Sequence, residues 1–195
     1  MSQTDYTLTK DTYIDESNPT TNYGTSTTLI WGHIVANKVA EGHQYPVLYT
    51  DISALAADQV ITAAVLRLYV TSHTSGGATL VEMRRNGDDG WIESEADWEE
   101  KSNGVAWTGG DGGTPLVPYP AVQDDPAATG QYWELEVGCI AGYAQKVNSG
   151  IFNFLGFLYT GASTSQIVFY SKESASNKPM LRLTHETHGR QVISM

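Results

Sequence analysis

Apolar and polar residues alternate with a period of two in several short stretches of the chain. The clearest stretch is 65–70, where Leu66 and Leu68 share one face while Arg67 and Tyr69 point to the other. Similar runs lie at 29–31, 47–49, 80–83, 132–137, 154–159, 167–170 and 180–183. The pattern therefore predicts at least eight short strands.

Turn-forming residues lie between many of these runs, and there is no long helical period. We predict an all-β fold, a jelly-roll β-sandwich. One short crossover helix is expected at 140–147, where Ile140, Tyr143 and Val147 recur at helical spacing. Residues 109–130, rich in Gly, Pro, Asp and Ala, are predicted to form a long loop.

The composition narrows the classes of function. The 195 residues carry 11 Lys and Arg against 22 Asp and Glu, a formal net charge of −11. Such a chain has no general positive field for nucleic acid or an anionic membrane, and we expect neither as a partner. Cys139 is the single cysteine, so no intrachain disulfide can form. Its apolar neighbours predict a small buried side chain rather than a catalytic thiol.

The first residues of the chain and its longest apolar stretch indicate where the protein is expected to be located. The first residues lack the basic and apolar regions of a secretory signal. The longest apolar stretch, 151–159, is far shorter than the roughly 20 residues that a membrane-spanning helix needs. We expect a soluble chain that is not exported by the usual route.

Catalytic patterns are weak in this sequence. There is no Gly-x-Ser-x-Gly turn, and the five histidines are scattered. The carboxylates between Glu93 and Glu100 could be paired for glycoside hydrolysis, but a solvated loop is the favoured interpretation. His185 and His188 lack the spacing of a zinc helix and are interpreted as part of a solvated tail. We predict that the protein is not an enzyme.

Four segments, in a fixed order, resemble one known family. They are 11–19 with Asn22-Tyr23-Gly24 and 29–32; 47–55 with 60–69; 91–98 with Trp107; and 171–173 leading to 179–183. Together they resemble the DNRLRE domain family, which is related to carbohydrate-binding modules and has a jelly-roll β-sandwich fold. The sequence departs from the family at Tyr49-Thr50-Asp51 and at Asp97. We divide the chain into an N-terminal arm (1–10), the DNRLRE-like domain (11–184) and a C-terminal extension (185–195).

The same residues also have a structural interpretation. Asn22 and Gly24 tolerate positive φ and are predicted to form a tight turn. Trp91, Trp98 and Trp107 are expected mainly in the core or holding loops, with sugar stacking as the alternative. The resemblance also implies that no cofactor is required, apart from a structural Ca²⁺ for which Asp11, Asp15 and Glu16 are the candidate ligands.

Two functions follow from a DNRLRE-like domain that stands alone. The first is a bacteriophage virion protein, a capsid decoration protein that binds the major capsid protein as a homotrimer and stabilises the shell. The alternative is a carbohydrate-binding module, or a tail protein that binds host glycans. For the alternative, the candidate stacking residues are Trp107, Tyr119 and Trp133, with Asp111 or Gln131 as hydroxyl partners.

Overall fold

The computed structural model describes residues 1–36, 40–56, 58–74, 79–86, 88, 90–110, 112, 115–124, 126, 128–136, 151–160 and 165–187. Every regular secondary-structure element in these ranges is a β-strand. They are β1 (Ser2–Thr7), β2 (Lys10–Asp15), β3 (Thr28–Ala36), β4 (Ala40–Asp51), β5 (Gln59–Thr74), β6 (Thr79–Asn86), β7 (Glu100–Ser102), β8 (Val105–Ala106), β9 (Pro115–Asp124), β10 (Gln131–Glu136), β11 (Ile151–Thr160), β12 (Ser165–Tyr170) and β13 (Met180–Thr187).

The strands form one large antiparallel sheet and one small hairpin. The large sheet runs in the order β1-β13-β5-β12-β3-β4-β11-β6-β9, with β10 added to β5 and β2 added to β4. The hairpin is β7-β8. The long strands β4 and β5 each pair with three or more others, and the architecture is all-β and consistent with a β-sandwich.

Alternation along the strands produces the main core. In β5, Leu66, Leu68 and Val70 are buried, while the residues between them are half-buried on the other face. The same alternation in β12 and β13 buries Phe169 and Leu181. These side chains form one cluster with Trp31 and Leu48, and burial of this apolar area supplies the main favourable free energy of folding.

A second, smaller cluster lies on the opposite side of β4. Residues 47 and 48 are both buried, but Leu48 belongs to the main core and Val47 belongs to the second cluster. Successive residues of a strand point to opposite faces, so β4 has apolar contacts on both sides. The second cluster consists of Ile14, Val47, Trp91, Ala96 and Trp107. Residues 91–107 therefore cover the outer face of β2 and β4.

The structure confirms each of the eight predicted strand positions and the all-β class. The predicted helix at 140–147 and the predicted burial of Cys139 lie outside the described residues. The predicted loop at 109–130 is wrong over ten residues, which form β9 and pair with β6. The sequence of this strand does not indicate a strand because it contains Pro115, Pro118 and Pro120. Proline cannot donate to a ladder, but β9 ends the strand order, where an edge strand tolerates it.

The N-terminal residues belong to the large sheet. Ser2–Thr7 pair antiparallel with β13, from Ser2 opposite His185 to Thr7 opposite Met180. The Arg182 guanidinium also donates two hydrogen bonds to the Asp5 carboxylate, at 2.7 and 2.9 Å. The β13 strand continues past residue 184 to Thr187, so a pairing within the chain orders both segments.

Candidate functional site

The residues 91–110, which we name the cover segment, lie over the second apolar cluster. Trp91 and Trp107 are 1% and 2% exposed, and Ala96 is fully buried between them. The Trp107 indole Nε1 donates to the Asp97 carbonyl at 2.9 Å, which satisfies the polar end of the buried ring. The large aromatic side chains therefore fix this irregular segment to the sheet.

Asn22 and Gly24 hold the cover segment from the neighbouring turn. The Asn22 Nδ2 donates to the carbonyls of Glu93 at 2.8 Å and Ala96 at 2.7 Å, and its Oδ1 accepts from the Gly24 N–H. The predicted tight turn is present, because the Ser26 N–H donates to the Tyr23 carbonyl at 3.0 Å, and it forms without positive φ at Asn22 or Gly24. Gly24 is needed for a close approach instead, since a Cβ atom there would lie 2.1 Å from the Glu93 carbonyl oxygen.

A buried carboxylate fixes the other end of the cover segment. Asp88 is 4% exposed and accepts from Lys101 Nζ and from the Thr108 hydroxyl, both at 2.6 Å, and from the Thr108 N–H at 3.0 Å. A buried charge is stable when it is paired and hydrogen-bonded in this way. The Asp88 contacts therefore join the end of β6 to the β7-β8 hairpin.

Three half-buried rings form a row at the margin of the cover segment. We name His43, Tyr45 and Trp98 the aromatic strip. The ring centroids of His43 and Tyr45 are 5.4 Å apart with an interplanar angle of 30°. Those of Tyr45 and Trp98 are also 5.4 Å apart, at 37°. Unlike Trp91 and Trp107, the three residues of the strip are only half-buried.

The backbone places each ring of the strip. His43 and Tyr45 are two residues apart on β4, so they share its outer face. The Trp98 N–H donates to the Pro19 carbonyl at 3.0 Å, and the Trp98 carbonyl accepts from the Gly112 N–H at 2.9 Å. Gly112 has φ +85°, and a Cβ atom there would lie 3.0 Å from the Trp98 ring. Hydrogen bonds on both sides thus fix the backbone of Trp98, and Gly112 lies close to its ring.

Polar groups lie at the His43 end of the strip. Glu16 Oε2 accepts from the His43 N–H at 3.0 Å, and the Glu16 N–H donates to the His43 carbonyl at 2.9 Å. The Glu16 side chain is half-buried. A row of ring faces with a carboxylate at one end suits a ligand that has both apolar faces and hydroxyl groups.

A second aromatic grouping lies on the outer face of β5, β10 and β12. We name Tyr69, Tyr132 and Tyr170 the tyrosine patch. Tyr69 stacks on Tyr170 with centroids 5.6 Å apart at 15°, and meets Tyr132 edge-on at 5.3 Å. Arg67 lies over the Tyr132 ring at 4.5 Å and pairs with Glu134. The Tyr69 hydroxyl donates to the Gly130 carbonyl at 2.8 Å.

An ionic cluster joins the start of β2 to the cover segment. The Asp11 N–H donates to Glu93 Oε1 at 2.7 Å, and Lys172 Nζ lies 3.0 Å from Glu93 Oε2. Asp11 is 1% exposed, and its Oδ2 accepts from the Lys172 N–H at 2.7 Å. Burial, with repulsion from Glu93 as a further contribution, raises the Asp11 pKa to about 7. Glu93 is therefore half-buried and joins β2 to the cover segment, whereas the sequence predicts a solvated loop residue.

The predicted stacking residues do not form one surface. Stacking by Trp107 is wrong, because its ring is buried and presents no face to solvent. Trp133 is half-buried against the main core, because it lies opposite Leu68 on the inner face. Its ring centroid is 5.8 Å from that of Trp31. Tyr119 lies in β9, and its side chain is outside the described residues, as is Asp111. Gln131 is exposed at the start of β10.

The candidate calcium ligands bind groups of the chain itself. Asp15 accepts from the Ser17 N–H, from Asn18 Nδ2 and from Gln44 Nε2, and Glu16 accepts from His43. Across the described ranges, no group of three or more His, Cys, Asp or Glu is arranged to hold a metal. Ca²⁺ stays a prediction from the resemblance alone.

More than half of the chain matches the model of one known protein family. The model of carbohydrate-binding module family 96 matches residues 2–109. The chain belongs to carbohydrate-binding module family 96. The match contains all of the cover segment except residue 110 and all of the aromatic strip, whereas Tyr132 and Tyr170 of the tyrosine patch lie beyond it.

Two further findings concern relatives of the chain and membrane-spanning helices. The search of curated proteins gives no match. In the part of the chain that the structure describes, no helix is long and apolar enough to cross a membrane. The family 96 match fits the expected likeness to carbohydrate-binding modules and the expected absence of catalysis. The DNRLRE name and the phage setting stay predictions.

Sequence reasoning missed the aromatic strip as a unit. Trp98 was considered with the other tryptophans, but nothing in the sequence distinguishes the half-buried Trp98 from the buried Trp91 and Trp107. His43 and Tyr45 do alternate along one strand, which is a signal for a shared face. Only the path of the cover segment brings Trp98 to them.

Proposed function

We propose that the protein is a non-catalytic carbohydrate-binding module that holds a glycan against the aromatic strip. The observation that carries the proposal is the row of His43, Tyr45 and Trp98 rings at 5.4 Å spacing, inside the matched residues of family 96. The apolar face of a pyranose stacks on an aromatic ring, and neighbouring polar groups orient its hydroxyls.

The fixed position of Trp98 supports this proposal. Because hydrogen bonds to Pro19 and Gly112 already fix the backbone of Trp98, this residue loses little conformational entropy when a sugar stacks on its ring. The buried Trp107 and Asp88 keep the cover segment in place beneath it. A rigid aromatic surface of this kind suits recognition of a glycan chain from one side.

The test is binding of the purified chain to a panel of neutral and acidic polysaccharides, measured by affinity electrophoresis and calorimetry. Trp98→Leu and Tyr45→Leu should weaken binding by at least about 10-fold, or about 1.4 kcal/mol. Tyr45→Phe should keep most of the affinity. Tyr170→Leu in the tyrosine patch is the matched control, and a thermal unfolding curve of each variant verifies folding.

Two outcomes oppose the proposal. The absence of binding to any polysaccharide in the panel would remove the function. Loss of binding in Tyr170→Leu with normal binding in folded Trp98→Leu would assign the glycan to the tyrosine patch instead of the strip.

The family match supports the carbohydrate-binding alternative of the sequence analysis rather than the capsid role. The capsid protein partner and the homotrimer stay predictions from the sequence. Light scattering helps to distinguish these cases, because a monomer would favour the binding module and a trimer would favour an assembly component.

A further inference from the structure

The inner face of the sheet changes from apolar to polar at its β1 end. Along β13, Leu181 and Leu183 are buried in the main core, and His185 continues the same face. His185 lies opposite Ser2 of β1, and Thr187 lies opposite Gln59 of β5. Polar side chains therefore line the face where the core ends.

A groove of about 460 Å³ opens at this point. Its volume falls in the range of small-ligand sites. The groove is lined by Ser2, Thr4, Tyr6, Ala54, Leu55, Ala56, Gln59, His185 and Thr187. No Lys, Arg, Asp or Glu is among these lining residues, so the groove suits a ligand without charge.

The sequence predicts that His185 belongs to a solvated tail. In the structure it is instead a buried member of a hydrogen-bond chain. It is 8% exposed, with Nε2 3.0 Å from Thr4 Oγ1 and Nδ1 2.7 Å from Gln59 Oε1. Gln59 Nε2 donates to Thr187 Oγ1 at 2.9 Å. The chain of hydrogen bonds thus runs from Thr4 through His185 and Gln59 to Thr187.

The direction of each hydrogen bond follows from the donors. Gln59 Oε1 can only accept, so His185 Nδ1 donates, and in the tautomer with its proton on Nδ1 the Nε2 atom accepts from the Thr4 hydroxyl. The Thr4 oxygen then has lone pairs for a ligand, and the Thr187 hydroxyl has its hydrogen. The two ends of the hydrogen-bond chain offer one acceptor and one donor, and a sugar hydroxyl can pair with either.

We propose that this groove binds a single neutral sugar residue, with its hydroxyls on Thr4 and Thr187 and its apolar face against Tyr6 and Leu55. The site is separate from the aromatic strip. His43 and Tyr45 lie in the first half of β4, whereas residues 54–56 follow the end of that strand. This proposal does not rest on the function proposed for the strip.

The test is a titration of the full chain with glucose, galactose and mannose, followed by the ring signals of His185 in NMR spectra. At least one sugar should give a saturable shift. Thr187→Val keeps the shape of the side chain and should weaken that binding about 5- to 10-fold, because it removes one hydrogen bond. Thr184→Val, on the outer face of the same strand, is the matched control and should bind normally.

Three results would overturn the proposal: no saturable shift with any of the three sugars, equal affinity in Thr187→Val, or loss of the shift in folded Trp98→Leu. The last result would mean that the signal comes from a sugar on the strip. A normal shift in Trp98→Leu supports the groove, whatever the polysaccharide panel shows for the strip.

Discussion

The backbone of Gly24 lies directly against that of Glu93, and a Cβ atom at residue 24 would stand 2.1 Å from the Glu93 carbonyl oxygen. The same carbonyl accepts from Asn22 Nδ2. The turn after β2 and the cover segment can therefore approach this closely only with glycine at residue 24. This contact sets where the cover segment begins its path over β4.

Gly24→Ala should lower the free energy of unfolding by about 1–3 kcal/mol, because the added methyl group forces the two backbones apart. Urea unfolding measures the change. Gly90→Ala is the control, since nothing lies within 4 Å of its Cβ position, and it should change stability by less than about 0.5 kcal/mol. Equal stability of the two variants would contradict the close approach.

Asn22→Ala should lower stability by about 1–3 kcal/mol, because the carbonyls of Glu93 and Ala96 each lose a donor. It should also reduce polysaccharide affinity, since these bonds hold the segment that carries Trp98. Unfolding curves and calorimetry measure the two effects. The exposed Asn103→Ala serves as the control in the same segment, and unchanged values for Asn22→Ala would oppose this role.

Asp88→Ala should lower stability by about 2–4 kcal/mol, because it leaves the Lys101 ammonium and the Thr108 N–H without their buried acceptor. Chemical denaturation measures the loss. Glu99→Ala removes an exposed carboxylate from the same region and should have little effect. A loss no larger than that of Glu99→Ala would exclude a structural role for Asp88.

Asp11 makes stability depend on pH. Its pKa rises from 3.8 to about 7 on folding, chiefly through burial. The folded state therefore keeps a proton that the unfolded state loses between pH 3.8 and about 7. In that window the Asp11 contribution to stability falls as pH rises, by at most about 1.4 kcal/mol per pH unit.

Asp11→Asn should remove this dependence, because the amide can still accept from the Lys172 N–H but carries no charge. The difference in stability between variant and wild type should grow in favour of the variant as pH rises toward 7. Denaturation curves at several pH values measure it, with Glu99→Gln as the control. Parallel pH profiles for Asp11→Asn and wild type would show that the Asp11 pKa does not change on folding.

The sequence could predict the strands and the main core because both depend on local patterning. Alternation in 65–70 and 180–183 indicates which side chains point inward, whatever the partner strand is. The β9 strand escaped prediction because three prolines are compatible with it only at a sheet edge. Edge position is a property of the whole sheet and is not encoded in the ten residues themselves.

The sequence by itself determined the all-β class, the positions of eight of the thirteen described strands and the likeness to carbohydrate-binding modules. The tertiary structure decided which aromatic residues reach the surface. Trp91, Trp98 and Trp107 lie in one short stretch, yet the cover segment buries two of them and leaves Trp98 beside Tyr45. Likewise, His185 becomes part of a groove only because β1 and β5 flank it. Exposure depends on contacts between segments far apart in the chain, and local residue patterns carry no information about those contacts.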